Sequence, residues 1–154
     1  MINPFPAQIA SRESQIGSAR AEISNLQNDL DILSRNRRRL EEAQSRCASN
    51  ARIYHSDNDL LVRNTNSIQN IQRMRVARHC SRELRTHTTG SRKANADRAT
   101  AAISRKINNE LERVRAEIRQ RELRISALQG QISSLNNQIA NLRSQSAAWQ
   151  PLGT

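Results

Sequence analysis

Histidine, cysteine and paired carboxylates are the side chains that ligate metals and move protons, and this 154-residue chain has three His and two Cys. His79 and Cys80 are adjacent, His87 follows, and Cys47 and His55 lie further back. A structural zinc needs four ligands at a recognised spacing. Neighbours such as His79 and Cys80 point in different directions on a helix, so no metal site is expected. The two cysteines form neither a CxxC pair nor a disulfide framework. No Ser/His/Asp or Cys/His order and no Gly-rich phosphate loop stands out. Glu41/Glu42 and Glu110/Glu112 sit beside arginines and read as solvated helix faces, whereas acid–base work needs an enclosed pocket. The chain is read as not an enzyme, with no cofactor.

The remaining chemistry is cationic. Net charge is +11, and 23 of the 25 cations are Arg, the exceptions being Lys93 and Lys106. Residues 63–106 carry 11 cations against Glu83 and Asp97, which is +9 of that net charge. Arg75, Arg78, Arg82 and Arg85 recur at spacings of three, four and three, one helical stripe. The arginine fork pairs with carboxylates and phosphates alike. Two partners fit: an acidic protein surface, or nucleic acid gripped through its backbone with steep salt dependence. No aromatic side chains interleave with the stripe, which argues against base stacking. A second basic cluster, RNRRR, occupies residues 35–39.

Elements able to carry such a stripe follow from composition. With 2% aromatic residues, four Gly and three Pro, the chain lacks the bulky side chains of a round core. It has enough aliphatics for long helices sharing a narrow seam, which needs two apolar residues in seven. The C-terminal third shows the strongest periodicity: Leu111, Val114, Ile118, Ile125, Leu128, Ile132, Leu135, Ile139 and Leu142 alternate three and four apart, interrupted by Arg121. Ile103 and Ile107 extend the run backward and Trp149 forward. The N-terminal arm repeats the pattern through Ile16, Ile23, Leu26, Leu30, Leu33 and Leu40, interrupted by Arg37. The fold class expected is all-α: a long antiparallel coiled-coil hairpin with a broken outgoing arm, in helices of about 7–48, 60–86 and 92–149. The last would hold roughly 58 residues and span about 87 Å.

Residues 48–59, ASNARIYHSDND, are rich in turn formers, with Asp57, Asn58 and Asp59 as N-cap candidates for the second helix. Residues 86–91 read as a tight turn in which Gly90 supplies positive φ, and 150–154 as a flexible tail. Pairing Ile16 with Leu142, Ile23 with Leu135, Leu30 with Leu128 and Leu40 with Ile118 fills the seam and sets Arg37 opposite Arg121. A turn near residue 89 demands a different register, and the break at 48–59 reconciles the two. Helix two then presents Leu61, Ile68, Ile71 and Met74 as an apolar partner-binding face, with the Arg stripe beside it.

The two Gln/Ser/Asn-rich arms, SQIGSARAEISNLQNDLDIL and ISALQGQISSLNNQIANLRSQ, flank a middle segment with a Gly turn. This layout resembles the small helical-hairpin proteins of type VII (ESX-like) secretion, in particular the α-helical partners of LXG-domain toxins in Gram-positive bacteria. Gly90 occupies the glycine of that family's Trp-x-Gly turn, with Thr88 in place of the Trp. Tyr54 is followed four residues on by Asn58, where the family's export signal has Asp or Glu. The resemblance implies a non-catalytic targeting chaperone that binds the helical N-terminal domain of a secreted toxin, or a second small helical protein. The alternatives are an Arg-rich nucleic-acid-binding coiled coil and a homo-oligomeric scaffold. No segment approaches the ~20 apolar residues of a membrane span, and residues 1–10 lack the features of a signal peptide. The expected location is the cytoplasm, with export alongside the partner as the alternative.

Overall fold

The computed structural model describes residues 3–69, 82, 83, 85 and 90–149, and all its regular structure is helical. Helix α1 runs Phe5–Gln69 and helix α2 runs Ser91–Ala148. Asn3 opens α1: its Oδ1 accepts the Phe5 N–H at 3.0 Å, as an N-cap does. That geometry sets Pro4 at the first helical position and Pro6 within the first turn, where a missing N–H costs little. Gly90 opens α2, its carbonyl accepting the Ala94 N–H at 3.3 Å. At the far end the Trp149 N–H closes back on the Ser146 carbonyl at 3.3 Å.

The three-helix arrangement is corrected by α1, which passes unbroken through 48–59. Asp57, Asn58 and Asp59 are helix-interior residues rather than caps, and residues 60–69 belong to α1. Two physical reasons account for this. Residues 48–59 contain neither Gly nor Pro, and the other turn formers each cost less than about 0.7 kcal/mol in a helix. The heptad phase also continues through Cys47, Ala51, Tyr54 and Asn58, the last of which is buried. Of the turn expected at 86–91, residues 86–89 lie outside the described residues, as does the tail at 150–154.

The chain divides into two compact units, one of Met1–Asn36 with Val114–Thr154 and one of Arg37–Arg113. In the first, the start of α1 packs antiparallel to the end of α2. Ile16, Leu135 and Ile139 form a buried cluster, with Ile9 and Ile132 packed against it. Ala19, Ile118 and Leu128 are also buried. Ile23, Leu26, Leu30, Leu33, Ile125 and Leu142 are half-buried on the same seam. Ile16 therefore lies against Leu135 and not Leu142, a register one heptad away from the one the aliphatic pattern suggested.

A slip of seven residues leaves every a and d position facing an a or d position, so the seam alone does not choose between the two registers. Flanking side chains do. Arg124 donates to Glu22 at 2.8 and 3.2 Å, and Arg143 donates to Glu13 at 2.9 Å. Arg12 donates to Gln138 at 2.8 Å, and Asn3 joins the two helices through Ser146 Oγ at 3.1 Å. The alternative register would set Glu22 against Gln131 and bring Arg20 against Arg143. Exposed ion pairs contribute only about 0.2–1 kcal/mol each, enough to decide between two nearly equivalent seams. Arg121, expected in one layer with Arg37, pairs with Asp29 at 3.4 Å and Glu117 at 3.3 Å.

The second unit has a different seam. Leu111 is buried and Leu40 and Ile107 are half-buried, but beyond them the seam positions carry Cys47, Ala51, Thr100 and Ser104. Gln44 donates to Asn108 Oδ1 at 2.8 Å, and Cys47 Sγ lies 3.3 Å from Ser104 Oγ. Here too the helices run antiparallel. Arg37 is 3.8 Å from Glu41, its Nε buried and without a hydrogen bond.

Candidate interaction surface

The small residues of the second unit leave space. Ala43, Cys47, Ala51, Ala96 and Thr100 are too short to fill the angle between the helices. They line an open groove of ≈ 520 Å³ together with Arg46, Asn50, Tyr54, Ile103 and Ile107. Ile103, expected in the seam, instead stands on the groove's border and is 52% exposed. It falls one position before the seam residue Ser104, so the seam passes beside it.

Apolar side chains continue outward from this groove. Ile53 is 57% and Leu60 58% exposed, and Tyr54 and Leu61 are exposed beside them. Spacing places these four on one face. Arg46, Ile53 and Leu60 are seven apart, as are Cys47, Tyr54 and Leu61, and residues seven apart share a helix face. Arg46 and Cys47 line the groove, so the stripe extends it along α1. The first unit has two exposed large aliphatics, Ile32 and Leu123, among the described residues. They lie on different helices.

Charge follows the same division. The second unit holds 17 Arg and Lys against 8 Asp and Glu, a net +9, and the first unit holds a net +2. Local pairing tempers this at particular points. Lys93 donates to Asp97 at 2.7 Å, and that hydrogen bond raises the Lys93 pKa above its ordinary value. Arg113 donates to Glu110 through Nε at 3.0 Å, and this contact lowers the Glu110 pKa. In the first unit the Glu22 hydrogen bond raises the Arg124 pKa.

The residues singled out by sequence fall unevenly on this picture. All the hairpin-seam residues are buried or half-buried. Leu61 is at the surface, and Arg82 and Arg85 are helical and exposed. Ile68 is in the last turn of α1, its side chain outside what is described. Ile71, Met74, Arg75 and Arg78 lie outside the described residues, as do His79, Cys80 and His87. Sequence reasoning missed Ile53 and Tyr54, because the supposed break at 48–59 disguised the helix that carries them; it left Leu60 out of the apolar face and set Ile103 in the seam. The signal was present in the seven-residue spacing of Ile53 with Leu60 and Tyr54 with Leu61.

Among the described residues no cluster of His, Cys, Asp and Glu is arranged to hold a metal ion, and no helix is long and apolar enough to cross a membrane. Tyr54 and His55 meet edge to face with ring centroids 5.9 Å apart, a packing contact. The chain matches no protein-family model, no curated protein and no solved structure.

Proposed function

We propose that this chain is a non-catalytic helical binding partner, a targeting chaperone for a helical protein such as the N-terminal domain of an LXG-type toxin. The observation that carries the reading is the open groove between α1 and α2 with Ile53, Tyr54, Leu60, Leu61 and Ile103 exposed along it. Long helices with an unfilled apolar face recruit another helix, because burying each large aliphatic contributes about 1.5–3 kcal/mol. The resemblance of the arms at residues 14–33 and 125–145 to type VII secretion partners supplies the class of protein bound. The test is co-expression with a helical toxin domain encoded beside this chain, followed by size-exclusion chromatography with light scattering. A stable hetero-complex is the expected result; two separate peaks would refute it.

The net +9 of the second unit favours a second reading, an Arg-rich coiled coil that binds nucleic acid through its phosphates. A salt-titrated gel shift separates the two. Binding that persists at physiological salt supports the nucleic-acid reading, and binding lost there supports the protein partner.

A further inference from the structure

We infer that the groove of the second unit is the seat of a third helix, and that its occupant is an acidic amphipathic helix of another protein. The inference rests on the partner-binding reading above and names the chemistry of the partner at that site.

Geometry sets the shape of the ligand. The groove is walled by two antiparallel helices, its floor is small side chains, and Ile103 lines it from α2; the exposed Ile53 and Leu60, seven and fourteen residues on from the lining Arg46, continue it along α1. An α-helix with apolar residues at i, i+3, i+4 and i+7 meets such a surface as one apolar stripe. It would complete a three-helix bundle where the two-helix seam is weakest. An extended peptide has no exposed strand edge to join among the described residues.

Charge sets the sign. On the face that carries the groove, Arg39 and Arg46 are seven apart and in phase with Ile53 and Leu60. On α2, Arg92 is four residues from Ala96 and Lys106 three residues from Ile103, spacings that share a helix face. All four cations are exposed. Three acids lie on this face among the described residues: Glu42, three residues from Arg39 and four from Arg46, Asp57, and Glu110, which is hydrogen-bonded to Arg113. The face is net positive, so a helix flanked by Glu or Asp is attracted. A second copy of this chain would bring Arg39, Arg46, Arg92 and Lys106 against the same cations, because a two-fold interface places one patch against itself.

The probe is a synthetic amphipathic helix of about four heptads, roughly 42 Å long, with Leu in its stripe and Glu on both flanks. A control peptide has the same Leu stripe and Lys flanks. Cys47 lines the groove, so in a Cys80→Ser background the rate of Cys47 alkylation reports occupancy directly. The Glu-flanked peptide is expected to slow Cys47 alkylation at least tenfold at saturation and to bind at least tenfold tighter than the Lys-flanked one. Ile53→Ser with Ile103→Ser, both at exposed positions, should cost at least tenfold in peptide affinity with unchanged helicity by circular dichroism. Equal binding of the two peptides, or full protection of Cys47 by self-association alone, overturns the acidic-helix assignment. If the peptide fails while the chain still forms its complex with the toxin domain, this seat is wrong and the partner role stands. If the peptide binds while that complex does not form, the seat stands and the toxin partner falls.

Discussion

Gly17 and Gly130 lie in the interiors of α1 and α2, and a Cβ built at either meets nothing within 4 Å. Each glycine leaves the unfolded chain more backbone freedom than alanine does, and neither position needs that freedom in the folded state. Gly→Ala in an exposed helix interior is worth about 1 kcal/mol, so Gly17→Ala with Gly130→Ala should stabilise by about 2 kcal/mol. For a chain of this size roughly 2–4 °C accompanies each kcal/mol, which puts the double variant's midpoint about 4–8 °C higher. Thermal unfolding followed by circular dichroism at 222 nm is the assay. Ala19→Gly provides the opposite sign, because Ala19 is buried in the seam. It should lose the same propensity and also a buried methyl worth about 0.8 kcal/mol. An unchanged or lowered midpoint in the double variant would refute the reasoning. It would mean that another surface covers these positions in solution.

Other substitutions separate seam from surface. Leu128→Ala, at a position 2% exposed, should cost about 2–5 kcal/mol in urea unfolding; Leu123→Ala, 72% exposed, should change stability by less than about 0.5 kcal/mol. Ser104→Cys in a Cys80→Ser background should oxidise to an intramolecular disulfide with Cys47, seen as faster migration on a non-reducing gel. Leu111→Cys, which faces Cys47 only in the register one heptad away, should not. Glu110, held below its ordinary pKa by Arg113, contributes stability at neutral pH that is lost as acid titrates the carboxylate. Glu110→Gln should therefore flatten the acid limb of a midpoint-versus-pH curve. Lys93, raised by Asp97, contributes below its unfolded pKa and loses that contribution as alkali titrates it, so Lys93→Gln should flatten the alkaline limb. Arg78→Glu with Arg82→Glu should weaken the complex with an acidic helical partner in a pull-down, and unchanged capture would remove the stripe from the interface.

The all-α class and the composition of the seam follow from residue types and spacing alone. Aliphatics spaced three and four apart permit one stripe on a helix, and so few aromatics leave no other way to bury area. Ile16, Leu128, Leu135 and Ile139 were legible on those grounds, as were the limits of α2. The register, the continuity of α1 through 48–59 and the groove beside Tyr54 were decided by tertiary structure. A heptad slip still sets seam residues against seam residues, so Glu22 with Arg124 and Glu13 with Arg143 had to be seen facing each other before one register won. The groove depends on Ala51, Ala96 and Thr100 arriving together from two helices. Each small residue is unremarkable in its own segment, and only their meeting leaves space.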